Sequence, residues 1–313
     1  MRWTTMVAAA AAWLAVLAIA PASAQQPAQQ SEQARRAERV AAWQAAEKAG
    51  TSGPADVMLI DQGVLQLPRG ELFVPKAEAS RVLRALGNLP GDATLVGLVV
   101  GTHANDRWIV VIRHIKEGYI KDDEAKTWNA DDLLNNIRDG VEEANKDRVA
   151  RGFPEMQVVG WVEPPAYDAR THRLVWSLLA KDKGTPDGAA TGINYNTYAL
   201  GRDGYFSLNL LTGSETIATD KAVAHELLAD LVYNVGKRYE DFSAGTDRVA
   251  QYGLMALVGG VAAKKLGLLA LLAATVLKFG KIILVGVAVA GGTVLKLFRR
   301  KPRQDGGTPG GTA

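Results

Sequence analysis

The densest run of groups able to do chemistry is Tyr119-Ile120-Lys121-Asp122-Asp123-Glu124. Neighbouring carboxylates such as Asp122 and Asp123 suit a hard cation like calcium or magnesium, which takes oxygen ligands. The spacing is not that of an EF-hand loop, and no glycine stands where such a loop must turn. The plainer reading is a solvated acidic turn between a strand and a helix. A second run is Gly160-Trp161-Val162-Glu163-Pro164-Pro165-Ala166-Tyr167-Asp168-Ala169-Arg170-Thr171-His172. Its two prolines stiffen a strand exit and leave Tyr167, Asp168 and His172 in or beside a turn. An Asp168–His172 pair would orient a general base. The favoured reading is plainer: no nucleophile accompanies them in sequence, so Asp168 opens an Asx turn and His172 pairs across a sheet.

Other motifs fail on their spacing. His225-Glu226 begins like His-Glu-x-x-His, but Ala229 stands where the second zinc ligand belongs. The glycines form no phosphate loop, and no serine sits in Gly-x-Ser-x-Gly. None of the four histidines is spaced as a local metal pair, and with no cysteine there are no disulfides, thiolate sites or thiol nucleophiles. Neither a metal nor a cofactor is expected, and no residue is assigned a catalytic role. Trp161 and Trp176, on adjacent candidate strands, read as cross-strand partners rather than a ligand platform.

The elements that must position these groups follow from periodicity and punctuation. Gln25–Gln33 is Gln/Pro/Ala-rich and reads as a flexible leader, and Ser31–Lys48 as a helix capped by Ser31. Short β-type runs follow at Val57–Ile60, Val64–Leu67 and Glu71–Val74, with turns between. Pro75 suits the first position of a helix through Leu86, stopped by Gly87. Leu95–Val100 and Trp108–His114 read as strands. Asn129 is placed to cap a helix whose apolar face is Leu133, Leu134, Ile137, Val141 and Ala144. Met156–Val162, His172–Ala180, Tyr195–Leu200 and Tyr205–Leu211 read as four strands in an antiparallel meander. A last helix is expected from Asp220 to Val235, capped by Thr219. The fold class is α+β: an antiparallel sheet with packed helices, plus a C-terminal transmembrane helix.

Both ends of the chain carry addresses. Arg2, the apolar run Met6–Ala20 and the small-x-small ending at Ala24 make a secretory signal peptide over residues 1–24. Residues 25–50 form the leader and first helix, and residues 51–250 the exported domain. Residues 251–278 are apolar but carry Lys264 and Lys265 near their middle, each costing roughly 2.5–3.5 kcal/mol in a spanning helix. That stretch is an interfacial helix, part of a hairpin, or a second crossing. Residues 279–298 have the length, about 20 residues, that a bilayer core of roughly 30 Å requires. Arg299, Arg300, Lys301 and Arg303 then mark residues 299–313 as a cytoplasmic tail. The formal charge of +3 combines about +1 from Arg2 and +8 after Ala250, which leaves about −6 on the exported part. An acidic domain of this kind argues against nucleic acid as a partner, since such binding rests on Lys/Arg–phosphate contacts.

Several stretches together resemble a bacterial family of uncharacterised membrane-anchored proteins, the domain of unknown function 2167. They are Gly118–Asp123, Glu143–Arg148, Gly160–Pro165, Tyr167-Asp168 with Thr171-His172, and Leu200–Gly204 with Leu208-Asn209. Arg238–Phe242, Thr246–Leu254 and Gly260–Lys264 complete the set. The resemblance spans roughly Val57 to Phe298 and implies a location and a shared fold rather than an activity. The Gly/Ala-rich loop Gly184–Ala190 departs from the pattern.

The expected function is that of an inner-membrane protein whose main domain is periplasmic. It binds or scaffolds a partner in the envelope, with the lipid bilayer as a further partner. A metal-assisted envelope hydrolase and a transport accessory are the alternatives. The candidate binding residues are Asp122, Asp123, Trp161, Asp168, His172 and Arg202.

Overall fold

The computed structural model describes residues 22–88, 90–150 and 152–258. An eight-stranded antiparallel sheet runs in the order β1 (Thr51–Ser52), β4 (Glu71–Pro75), β5 (Leu95–Gly101), β6 (Ile109–Ile115), β10 (Tyr205–Gly213), β9 (Gly192–Leu200), β8 (Arg173–Asp182), β7 (Met156–Asp168). The expected meander is present as β7–β10, and its last strand pairs back onto β6. A smaller antiparallel sheet is ordered β11 (Leu231–Tyr233), β3 (Gly63–Leu67), β2 (Ala55–Leu59). The class is α+β, with four helices among the described residues.

Alternation of side chains along each strand sends apolar groups to both faces of the large sheet. On one face Phe73, Val110, Tyr195, Phe206 and Leu208 meet the inner side of the small sheet (Val57, Leu59, Leu65, Leu67) and the helix α4 (Ile217–Ala229). On the other face Leu72, Val74, Leu98, Val111 and Leu211 lie under α1 (Ala22–Ala49) and α2 (Lys76–Ala85). The same face is covered further along by α3 (Ala130–Ala150), which packs Leu134 and Val141 on Met156 and Val158 of β7. Asn145 fixes that contact: its amide donates to the Met156 carbonyl at 2.9 Å and accepts from the Met156 N–H at 2.8 Å.

Four elements differ from expectation. Gln25–Gln33 is helical and not a loose leader, because α1 begins at Ala22 rather than at Ser31. Its Ala, Gln, Glu and Arg residues all favour helix, and Glu32 pairs with Arg36 one turn on. Pro75 closes β4 and caps α2 instead of opening it. β7 does not exit at Pro164-Pro165 but continues to Asp168. It is an edge strand, with its register shifted on either side of Glu163, and both conditions tolerate proline. The last helix runs from Ile217 to Ala229, and Leu231–Tyr233 leaves it to form β11. Pairing with β3 buries Leu231 and explains the early stop.

Beyond β11 the chain crosses the end of the large sheet as an irregular strap, with 3-10 turns at Tyr239–Asp241 and Leu254–Val258. Leu254 and Val258 are fully buried, so the folded body reaches past Ala250. The expected span 279–298 and most of the expected signal peptide lie outside the described residues. Among the described residues, no helix is long and apolar enough to cross a membrane.

One buried group runs against the apolar pattern. Glu71 is 7% exposed, and its Oε2 has no hydrogen-bond partner. It stands opposite Gly101, where a Cβ would overlap the Asp106 carboxylate. Burial, then the charges of Glu226, Asp230 and Asp106, push its carboxyl up from 4.5 to about 8. A carboxyl raised in the folded state contributes its full stability below the unfolded value and loses it as pH climbs through the folded one. Glu71→Gln should therefore match the parent below pH 4.5 and become the more stable of the two as pH rises towards 8. Thermal unfolding across that range measures the widening gap, which should reach about 1–3 kcal/mol, the usual cost of an unsatisfied buried group.

Candidate functional site

Three segments distant in sequence meet at the end of the sheet where β7 turns into β8. The first is the exit of β6, where Gly118 adopts φ +97 and a Cβ would lie 2.6 Å from the Arg248 carbonyl. This close approach, open only to glycine, lets the strap run beside Tyr119: the Tyr119 N–H donates to Arg248 at 2.8 Å, and the Ala250 N–H to Tyr119 at 2.9 Å. The second is the β7–β8 turn, closed by Asp168. Its carboxylate accepts from the Arg170 N–H at 2.9 Å and from the Thr171 hydroxyl at 3.1 Å. The turn leaves His172 at φ +54, a left-handed conformation uncommon outside glycine. The third is the strap itself, which brings in Tyr239.

Asp122, Tyr167 and His172 form one network. The Tyr167 hydroxyl donates to Asp122 Oδ2 at 2.8 Å and lies 3.1 Å from His172 Nδ1, while Asp122 Oδ2 is 3.7 Å from the same nitrogen. The phenol has one proton. If it goes to Asp122, His172 must offer Nδ1–H to the phenol oxygen. Burial, and then the bond to Asp122, push the Tyr167 phenol far above its ordinary value, so it acts as a neutral donor. The His172 ring stacks on Tyr239 with centroids 4.0 Å apart, Tyr239 on Tyr119 at 4.4 Å, and Tyr119 on Phe242 at 3.9 Å. Tyr239 donates its hydroxyl to the Ile120 carbonyl at 2.7 Å. Beside this stack opens a cleft of about 200 Å³, lined by Thr171, His172, Arg173, Tyr233, Arg238 and Glu240 among others. Arg173 is fixed there by donation to the Ala229 and Leu231 carbonyls at the end of α4.

The candidate residues separate into five places. Asp122 and His172 come together. Asp123 is exposed and pairs with Lys126 at 3.4 Å. Asp168 is spent on its own Asx turn and does not orient His172. Trp161 donates to the Ala130 carbonyl at 3.2 Å and meets Trp176 edge-on, so it joins α3 to the sheet. Arg202, in the β9–β10 turn, grips Asp247 with two bonds of 2.7 and 2.9 Å and donates to the Gly236 carbonyl. Of the six, only His172 lines the cleft. Tyr119 and Tyr239 were not among the candidates, though each lies in a stretch that carries the family resemblance. Aromatic residues in sequence look like core, and only the fold stacks them on a histidine. A second, separate group joins Tyr195 to His225 at 2.7 Å, with Glu163 3.8 Å from His225 and 3.2 Å from Lys221. Among the described residues, no three His, Asp or Glu side chains are grouped to hold a metal ion.

These features define an α+β domain whose distinctive groups gather where the strap crosses the sheet. The chain belongs to the family described as "Protein of unknown function (DUF2167)", whose model matches residues 51–290. No curated protein matches its sequence. Among solved structures, the solution structure of cyanobacterial PsbP (CyanoP) from Synechocystis sp. PCC 6803 is similar over 59% of this chain and 91% of its own. The TM-score is 0.34 and the identity 8%.

Two outcomes test the network and the Arg202–Asp247 pair. Tyr167→Phe strips the shared hydroxyl from Asp122 and His172 and should cost about 1–3 kcal/mol in urea unfolding. Arg202→Ala releases Asp247, whose carboxyl is held well below its ordinary 3.8, first by the Arg202 hydrogen bonds and then by the Ser243 N–H. Stability from a lowered carboxyl is present above its unfolded value and lost as pH falls through the folded one. The thermal midpoints of parent and Arg202→Ala should therefore differ at neutral pH and converge as the pH drops below 3.8.

Proposed function

We propose that this is a membrane-tethered envelope protein whose periplasmic domain binds a partner through the cleft beside His172 and Tyr239. The observation that carries the reading is how the polar groups at the site are employed. Asp122, Tyr167 and Tyr239 satisfy one another or the backbone, so they hold the cleft's shape, while Arg238 and Glu240 stand exposed at its mouth. A rigid, concave surface with a few polar groups at its rim is the usual form of a recognition site. The signal peptide and the terminal apolar stretch read from the sequence supply the location, and an acidic exported body fits it.

One observation favours the hydrolase alternative. His172 lines the cleft, and its Nδ1 is engaged by the Tyr167 hydroxyl, which Asp122 also holds. This is the arrangement of a general base awaiting a water.

The test has two parts. Alkaline phosphatase fused after Val258 should be active and a fusion at Ala313 inactive; the reverse pattern would remove the location. A photo-crosslinker placed at Glu240 of the full chain should capture a discrete envelope component that one at Asp131 does not. His172→Gln decides between the readings. Loss of capture supports recognition, whereas retained capture with loss of turnover of the captured component supports hydrolysis.

A further inference from the structure

Exposed large apolar side chains are concentrated at one end of the molecule. Met58, Val64 and Val232 are direct cross-strand partners in a row across the outer face of the small sheet. Met58 is 63% exposed and Val232 46%. Ile60 at the β2–β3 hairpin tip is 49% exposed, and Val235, just past β11, is 85% exposed. Hydrogen bonds join these places: Asn234 reaches Asp61 and Gln62 at the hairpin tip, Arg202 reaches Gly236 and Lys237, and Asp203 receives the Gly118 N–H. Val249, also exposed, bridges to Tyr119 on the same side. Ile60 holds φ +52, a conformation that a β-branched residue adopts only under strain. The hairpin thus presents an isoleucine where glycine or asparagine would sit more easily.

Several of the charges at this end pair locally. Asp61 pairs with Lys237 at 3.2 Å, Asp203 with Lys116 at 3.4 Å, Glu117 with Arg248 at 3.9 Å, and Asp247 with Arg202 at 2.7 Å. A patch of this kind attracts by apolar contact and offers little to an ionic partner. Val258, nine residues after Val249, is the last described residue, and the forty that follow in sequence are predominantly apolar.

We propose that this end, through Met58, Ile60, Val232 and Val235, rests in the surface of the bilayer to which the chain is tethered. The inference depends on the membrane-tethered reading. The contact is apolar, so it forms on zwitterionic lipid and survives salt. It also sets the cleft, which shares Val232 with the patch, beside the lipid surface.

The chain has no cysteine, so single cysteines report cleanly. The full chain is reconstituted in phosphatidylcholine vesicles with an environment-sensitive fluorophore at Met58→Cys, Val235→Cys or Val149→Cys. Val149 serves as control because it is equally apolar and 57% exposed, but lies on α3. Labels at 58 and 235 should shift to the blue and lose most of their emission to lipids brominated in the acyl chain, unchanged by high salt, while the label at 149 does neither. Three results overturn the proposal: labels at 58 and 235 as wet as the one at 149; dry labels that brominated lipid does not quench, as a second copy or the chain's own apolar segment would give; or quenching abolished by salt. Flotation separates this from failure of the tether: wet labels on a chain that floats count against the contact, and a chain that does not float counts against the tether.

Discussion

The stack of His172, Tyr239, Tyr119 and Phe242 is the contact on which the working end of this domain depends. Its members come from the β7–β8 turn, the exit of β6 and the strap, and nothing in local sequence brings these segments together. Burying four rings face to face removes a large apolar area from water, and the offset geometry adds to that gain. The condition is that each polar tip finds a partner. Tyr239 meets it at the Ile120 carbonyl, and His172 meets it at Tyr167. The stack shares the work of holding the strap with the parallel bridge at Tyr119, the Arg202–Asp247 grip and the buried turn at Leu254–Val258.

The two faces of the large sheet solve different problems. Beneath α1 and α2 the packing is apolar, aliphatic but for Trp43, and close fit decides it. Beneath the small sheet and α4 the core also has to accept Glu71, an acidic side chain among apolar neighbours and close to three other carboxylates. The loss of charge on Glu71 at neutral pH is the physical answer to that placement, and it sets this corner apart from an otherwise ordinary core.

The strands, and the order of β7 to β10, were readable from alternation and turn residues: β2 to β10 fall close to the apolar runs, and Asn129 caps α3 through bonds from the Asp131 and Asp132 N–H groups. The misreadings have physical causes. Leu231–Tyr233 continues a helical pattern, and only pairing with β3, far off in sequence, turns it into a strand. The Pro164-Pro165 pair looks like a terminator because sequence does not reveal that β7 is an edge. At the site, Asp122 and His172 were legible as chemistry-bearing types, but their union through Tyr167 was not. The adjacent Asp168 offered a nearer partner on paper, and the backbone of the turn claimed it.

The strap's attachment also has a mechanical side. Beyond the bridge between Tyr119 and Val249, the strap ends in the buried Leu254–Val258 turn, where the Leu257 carbonyl accepts from Trp176 and the Leu254 N–H donates to Lys121. Tension applied past Val258 would meet that turn first, and the bridge and the aromatic rings would carry load only after it had given way.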